Sequence, residues 1–216
     1  MHTMLTGSSY RQQLFRRALR TLQVSGRRFR GGSVAQIDPL GHERLRAEAF
    51  IRAVFMNQHG AQVLDIAPQL LMCERAGLVQ AAAGWRDAQQ GPLYLEIYLD
   101  EAIEVTLARA TQRPVRRDEI VEVANLAASR QGASIWLMRE LAHVLAQRKF
   151  VWATFTATRA VQQMLARVRL PLLELATADP ARLGAAAQHW GSYYANQPRV
   201  LACRLDSWVT LAELYA

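Results

Sequence analysis

The spacing of apolar and polar positions changes period along this chain, and the order of those changes suggests a fold. In residues 42–59, HERLRAEAFIRAVFMNQH, Leu45, Ala49, Phe50, Ala53 and Val54 return at helical spacing. Pro39 and Gly41 punctuate the start of that segment and Gly60 its end. Three shorter apolar segments follow at 70–73, 78–85 and 93–99, separated by Gly77 and by the turn Gln90-Gly91-Pro92. They predict an antiparallel meander of strands. Residues 101–112 read as a helix that stops before Pro114. Residues 120–127, IVEVANLA, read as a strand with Val121, Val123 and Asn125 on one face and Glu122, Ala124 and Leu126 on the other.

From there the period alternates. Gly132 opens a helix whose Leu137, Met138, Leu141, Val144 and Leu145 share a face. Residues 151–156 predict a strand, 160–168 a helix and 172–176 another strand. A β-α-β-α-β run needs crossover connections and therefore predicts parallel strands. A loop region begins at Asp179-Pro180 and reaches Pro198; 200–205 then predict a last strand and 207–215 a terminal helix. The whole predicts one α/β domain over 39–216. Its mixed sheet has an antiparallel first half and a parallel second half, with helices on both faces.

Composition narrows the classes. The chain has 216 residues, 51% of them hydrophobic and 20% charged, enough to bury a core and too few for two ordinary domains. It carries 26 basic and 18 acidic residues, net +8. Residues 1–32 hold seven arginines and no acid, so 19 basic and 18 acidic residues remain in 33–216. The body is close to neutral, which argues against nucleic acid as its partner. The basicity belongs to an arm, residues 1–38, in which Tyr10, Leu14, Phe15, Ala18, Leu19 and Leu22 recur at helical spacing among Arg11, Arg16, Arg17 and Arg20. Ser25-Gly26 and Gly31-Gly32-Ser33 end it. Three readings fit: an extension without order of its own, a helix in peripheral contact with a membrane surface, and a docking arm for an acidic acyl carrier. Arginine-rich and acid-poor also describes a transit peptide. However, 25 of the 26 basic residues are arginine, the bias of a GC-rich bacterial genome.

Cys73 and Cys203 sit in apolar surroundings and read as buried free thiols. The five histidines lack metal-site spacing, so no metal is expected. No apolar run approaches the roughly 18–20 residues of a membrane span, and no secretory leader is evident, so a cytoplasmic location is expected.

Candidate chemistry collects where the parallel strands end. In the segment AASRQGAS (127–134), free N–H groups at a helix start, with Gly132 allowing close approach and Arg130 beside them, form a phosphate cradle, or Ser129 and Gly132 merely turn the chain into that helix. Glu96 in LYLEIYLD and Glu122 in IVEVANLA are carboxylates inside apolar segments. Buried, either is a candidate base for deprotonating an amine; at a solvated edge or bonded to a sheet neighbour, it is structural. Asn125 and Thr156, near the ends of two parallel strands, are candidates for substrate contact. So are Trp190, Tyr193 and Tyr194 in the loop WGSYYANQP, which reads as a pocket wall or as a self-packed loop. No GxSxG nucleophile motif occurs.

Together with HERLRAEAFIRAVFMNQHGA and LYLEIYLD, the segments IVEVANLA, FTATR, MLARVRLPLLEL, TADPARLG and WGSYYANQPRVLA follow one another as in the bacterial thermostable hemolysin family, which residues 40–205 resemble. That family looks like a branch of the GNAT acyltransferase fold, close to acyl-homoserine-lactone synthases. The resemblance implies an acyl-CoA pyrophosphate at the amides of Gly132, Ala133 and Ser134, with Arg130 beside them. It matches Glu122 to the glutamate of a Glu-x-x-Arg pattern whose arginine is here Asn125. Ser129 stands where the phosphate signature has Gln or Arg, Leu165 near a usual tyrosine, and Arg169 at a usual glycine. Tyr193 or Tyr194 is then the candidate proton source. The implied activity is transfer of an acyl group from acyl-CoA or an acyl carrier protein, as co-substrate rather than permanent cofactor, to a small amine, giving an N-acyl metabolite or signal. The alternative is a membrane-active hemolysin-type protein without enzymatic activity, for which the arm is the sequence support.

Overall fold

The computed structural model describes residues 32–129 and 131–214. The amphipathic segment of the arm and Arg130 lie outside them.

The sheet starts earlier than the sequence suggests. Gly32–Ile37, assigned above to the arm, forms β1 and pairs antiparallel with β2 (Gln69–Arg75), from Gly32 opposite Arg75 to Ile37 opposite Leu70. β2 pairs antiparallel with β3 (Leu78–Asp87), and β3 with β4 (Ile120–Ala128). The meander is therefore β1-β2-β3-β4, and the segment 93–99 is not one of its strands. Residues Tyr94–Tyr98 form a short 3-10 helix instead. Pro92 precedes the segment, and the carboxylates of Glu96 and Glu122 accept the N–H groups of Leu93, Tyr94 and Leu95 that a sheet neighbour would otherwise take. Side-chain acceptors outcompete strand propensity here.

Helix α1, His42–His59, packs on the sheet through Ala47 and Ile51, both fully buried, flanked by Phe50, Val54 and Phe55. Leu45, Ala49 and Ala53, expected on that face, point outward, and Leu45 is 67% exposed. Salt bridges from Arg44 and Arg52 to Glu48 run along the flank. α1 ends at Gly60, whose φ of 66° suits glycine and whose N–H donates to Met56 O at 2.8 Å.

β4 carries a bulge. Asn125 has a φ of 55°, and the pairing with β3 slips between Ala82 and Gly84. Beyond the bulge the faces exchange: Leu126 and Ala128 join the side of Val121 and Val123, while Ala127 turns toward α1. The strict alternation read from the sequence placed Leu126 on the opposite face. Asn125 also fastens the segment before β2, with Oδ1 accepting from Ala67 N–H at 2.9 Å and Nδ2 donating to Asp65 O at 3.1 Å. That segment lies so close that a Cβ on Gly84 would sit 2.6 Å from Ala67 Cβ.

The second half follows the expected crossovers: α3 (Gln131–Ala146), β5 (Trp152–Ala157), α4 (Arg159–Arg167) and β6 (Leu173–Thr177). β5 pairs parallel with β4. β6 runs in the same direction but is not its neighbour, because β7 (Arg199–Arg204) lies between them, antiparallel to both. The sheet order is β1-β2-β3-β4-β5-β7-β6. On one face α3 and the terminal helix α5 (Leu205–Leu214) bury Leu137, Leu141, Leu145, Trp208 and Leu211. On the other, α1 covers β2 to β4, and α2 (Ile103–Thr111) with the 94–98 turn covers Ile120, Trp152 and Val200. Arg169 takes a left-handed φ of 56° in the turn before β6. Cys73 and Cys203 are free and buried, and burial raises both thiols to about 12. No described helix is long and apolar enough to cross a membrane.

Replacing Asn125 by alanine removes both tethers to residues 65–67 and leaves alanine in a left-handed backbone. The expected loss is about 1–3 kcal/mol, read as a lower urea midpoint with an unchanged slope.

Candidate active site

β4 and β5 stay paired for only three residues: Ile120 with Trp152, Val121 with Ala153 and Glu122 with Thr154. Both continue beyond that point without pairing to each other, β4 to Ala128 and β5 to Ala157. Side chains from both faces of the sheet line the gap between them, a cavity of about 160 Å³. Leu126, Met138, Leu141, Phe155, Leu165 and Trp208 make an apolar end. His59, Asp65, Tyr94, Tyr98, Trp190 and Tyr193 make a polar and aromatic one.

Glu122 stands where the strands part and is 2% exposed. Its burial has a local cause. The 94–98 turn begins with two N–H groups that have no partner inside the turn, and the Glu122 carboxylate takes both, Tyr94 N–H at 2.8 Å and Leu95 N–H at 3.1 Å. Arg86 Nε lies 3.3 Å from the same carboxylate, as an ionic contact without hydrogen-bond alignment, while Arg86 Nη2 donates to Asp65 at 2.6 Å. Burial drives the carboxyl of Glu122 upward; the charge of Arg86 and the two N–H bonds pull it back, and it settles at about 7. A carboxylate that titrates near neutrality suits proton transfer.

Glu96 is a different case. Arg117 clamps it from two sides at 2.8 and 2.9 Å, and the N–H groups of Leu93 and Ile103 donate to it at 2.7 and 2.9 Å. Burial alone would raise its carboxyl, but these bonds and the Arg117 charge outweigh burial and hold it at about 2. It does not line the cavity. The expectation that Glu96 serves as a base is corrected: its oxygens are committed to fixing the 94–98 turn and the start of α2. Arg117 also bonds Glu104, Ala88 O and Gly91 O, so one guanidinium gathers the whole corner.

The other sequence candidates divide. Asn125, Thr156, Trp190 and Tyr193 line the cavity together with Glu122. The Asn125 amide is occupied by its backbone tethers, so it shapes the wall. Tyr194 stands behind the wall, its hydroxyl 2.5 Å from that of Tyr98. Gly132, Ala133 and Ser134 do not line the cavity. Gly132 is exposed at the start of α3; Ala133 and Ser134 are buried, with Ser134 Oγ 4.0 Å from Met164 Sδ.

The sequence reading missed His59, Phe55, Asp65, Arg86, Tyr94 and Tyr98. The aromatic loop finds α1 through a single close approach. A Cβ on Gly191 would fall 2.1 Å from His59 O, and that oxygen accepts Ser192 N–H at 2.7 Å. The contact seats Trp190 and Tyr193, 5.0 Å apart by ring centroid, against Phe55 at 6.3 and 6.2 Å and sets Trp190 6.1 Å from Tyr94. His59 meets Tyr193 edge-on at 5.4 Å, and burial lowers its imidazole, which is neutral at pH 7. Among the described residues, His59 Nδ1 and Thr156 Oγ1 are buried without a hydrogen-bond partner, and both side chains belong to this cavity.

A family model described as thermostable hemolysin matches residues 37–208. The chain belongs to the thermostable hemolysin family. A search of the curated proteins gave no match. Among solved structures the chain is similar to the acyl-homoserine-lactone synthase LasI, at 15% identity and a TM-score of 0.58 over 84% of this chain and 92% of that one. It is similar to BjaI, a CoA-dependent acyl-homoserine-lactone synthase solved with SAM and isopentyl-CoA, at 10% identity and 0.59 over 85% and 89%. It is also similar to FeeM, an N-acyl amino acid synthase from uncultured soil microbes, at 13% identity and 0.54 over 82% and 92%. At such identities the likeness is one of fold: a single GNAT-like α/β domain of the acyl-homoserine-lactone-synthase type.

Because the carboxyl of folded Glu96 lies below its ordinary value of 4.5, its ionised form stabilises the fold above that pH, and the contribution fades as pH falls toward 2. Glu96→Gln is expected to cost about 1.5–3 kcal/mol at pH 7, with the gap to the wild type closing on acidification through that window. Thermal melts of the two proteins across acidic pH check it.

Proposed function

We propose that this chain transfers an acyl group from a thioester, acyl-CoA or an acyl carrier protein, to a small amine, and that donor and acceptor meet in the gap between β4 and β5. The observation that carries the reading is a neutral-titrating carboxylate at the point where two parallel strands part, with an apolar chamber on one side and a polar aromatic one on the other. Past Glu122, the edge of β4 facing β5 has no sheet partner, and its N–H groups are available to the thioester carbonyl oxygen as negative charge develops there. The acyl chain lies against Leu126, Met138, Leu141, Phe155 and Leu165. The phosphates of the donor sit at the start of α3, on the backbone of Gly132, Ala133 and Ser134 beside Arg130.

Glu122 receives the proton of the attacking amine as the C–N bond forms. The C–S bond then breaks, the thiolate leaves and is protonated, and the products are an amide and a thiol. Tyr193 is the tyrosine of the aromatic loop that reaches the cavity; burial pushes its phenol up, so it remains a proton-bearing group at neutral pH. In this reading Thr156 Oγ1, buried without a hydrogen-bond partner among the described residues, bonds the bound pantetheine or acceptor. The seven arginines of residues 1–32 give the chain a means of approaching an acidic carrier or anionic lipid headgroups.

The test is thiol release from acyl-CoA and acyl-carrier donors of several chain lengths in the presence of candidate amines. Turnover is expected to rise with pH through about 7 as Glu122 loses its proton. Glu122→Gln is expected to slow it by roughly a hundredfold to ten-thousandfold with the donor KM little changed. A folded Glu122→Gln protein with undiminished turnover, or no thiol release from any donor and no thermal shift with CoA, rejects the reading.

A further inference from the structure

We infer that the acceptor taken by this site is a cationic amine without a carboxylate, of the diamine or amino-alcohol class. The inference rests on the acyl-transfer reading for its chemistry, and on the charge of the cavity for the class of acceptor. Among the described residues, the acidic and basic side chains that line the cavity, His59 aside, are Asp65 and Glu122; no lysine or arginine lines it. Arg86 stands behind both and is shared between them. At that end two carboxyl groups face a single guanidinium, so the polar chamber carries no surplus of positive charge, and burial lowers the imidazole of His59 beside them.

An acceptor bearing a carboxylate would bring a further anion to that end, where no cation among the described residues lines the cavity to receive it, which is costly in a partly desolvated site. A cation meets the opposite conditions. Trp190 stands 5.0–6.3 Å by ring centroid from each of Tyr193, Tyr94 and Phe55, and all four line the cavity, so they offer a positive charge several aromatic surfaces. An ammonium also donates hydrogen bonds, and the polar groups nearby accept them: the Asp65 carboxylate and the imidazole of His59, whose Nδ1 has no partner among the described residues. A diamine satisfies both ends of the polar chamber. One nitrogen, relieved of its proton by Glu122, attacks the thioester carbonyl; the other stays charged among the rings. The C–N bond forms, the C–S bond breaks, and the products are the monoacylated diamine and a thiol.

Binding and turnover are measured separately. Diaminobutane, ethanolamine, glycine, glutamate and S-adenosylmethionine are titrated by calorimetry against the whole chain, and each is then supplied with acyl-CoA for thiol release. Diaminobutane is expected to bind at least about tenfold more tightly than the carboxylate-bearing amines. Trp190→Leu and Asp65→Asn, each shown to be folded by circular dichroism, are each expected to weaken diaminobutane by about fivefold or more. Should one variant fail to fold, the other decides. Equal or tighter binding of the carboxylate-bearing amines, or no saturable binding of diaminobutane, overturns the inference. Tight diaminobutane binding without thiol release from any donor upholds the cationic class and removes the acyl-transfer reading instead.

Discussion

Two parallel strands that pair for three residues and then diverge each leave a row of backbone groups without a sheet partner, and a folded chain tolerates that only where something else fills the space. The cavity, the exposure of the β4 edge and the location of Glu122 all follow from this one break in the ladder. The break is held open from several directions. The Asn125 bulge turns the end of β4 toward α1. β7 pairs along the whole of β5, from Trp152 to Ala157, and keeps that strand from following β4. Apolar side chains of α3 and α4 support the gap from below.

The two glutamates show how the same residue type acquires opposite properties at one short turn. Glu96 meets a full set of donors, including a bidentate guanidinium, and is locked in its charged form. Glu122 meets two backbone N–H groups and a poorly aligned arginine in a much drier place, so its charged and neutral forms come close to balance. They cooperate through the 94–98 turn. Glu96 fixes it from the outer side and Glu122 caps it from the sheet, which is how Tyr94 and Tyr98 come to stand in the cavity wall.

Much of this was legible in the residues. The change of period after residue 128 gave the β4-α3-β5-α4-β6 run, and Glu122 was singled out because a carboxylate inside IVEVANLA needs a partner. Three features escaped because long-range partners overruled local pattern. LYLEIYLD alternates like a strand, yet its N–H groups are claimed by carboxylates, one of them 28 positions away. Gly32–Ile37 reads as part of the arm because only its pairing with β2 makes it a strand. The faces of β4 exchange at Asn125, where a positive φ depends on Ala67 and Asp65 rather than on neighbours in sequence. His59 gave no local signal at all. Its role arises from a turn at Gly191 and Ser192, more than 130 positions downstream.

The position of β7 ties the site to the far end of the chain. β7 follows β6 in sequence yet lies inside the sheet, between β5 and β6. Until it inserts, β5 and β6 are open edges with unpaired backbone, and the aromatic loop just before it has no fixed base from which to reach His59. Inserting a central strand from the far end of the chain makes these the most non-local contacts of the sheet. The pocket therefore depends on the whole chain: β1 to β5 alone would lack the aromatic loop and Trp208, and with them much of the wall.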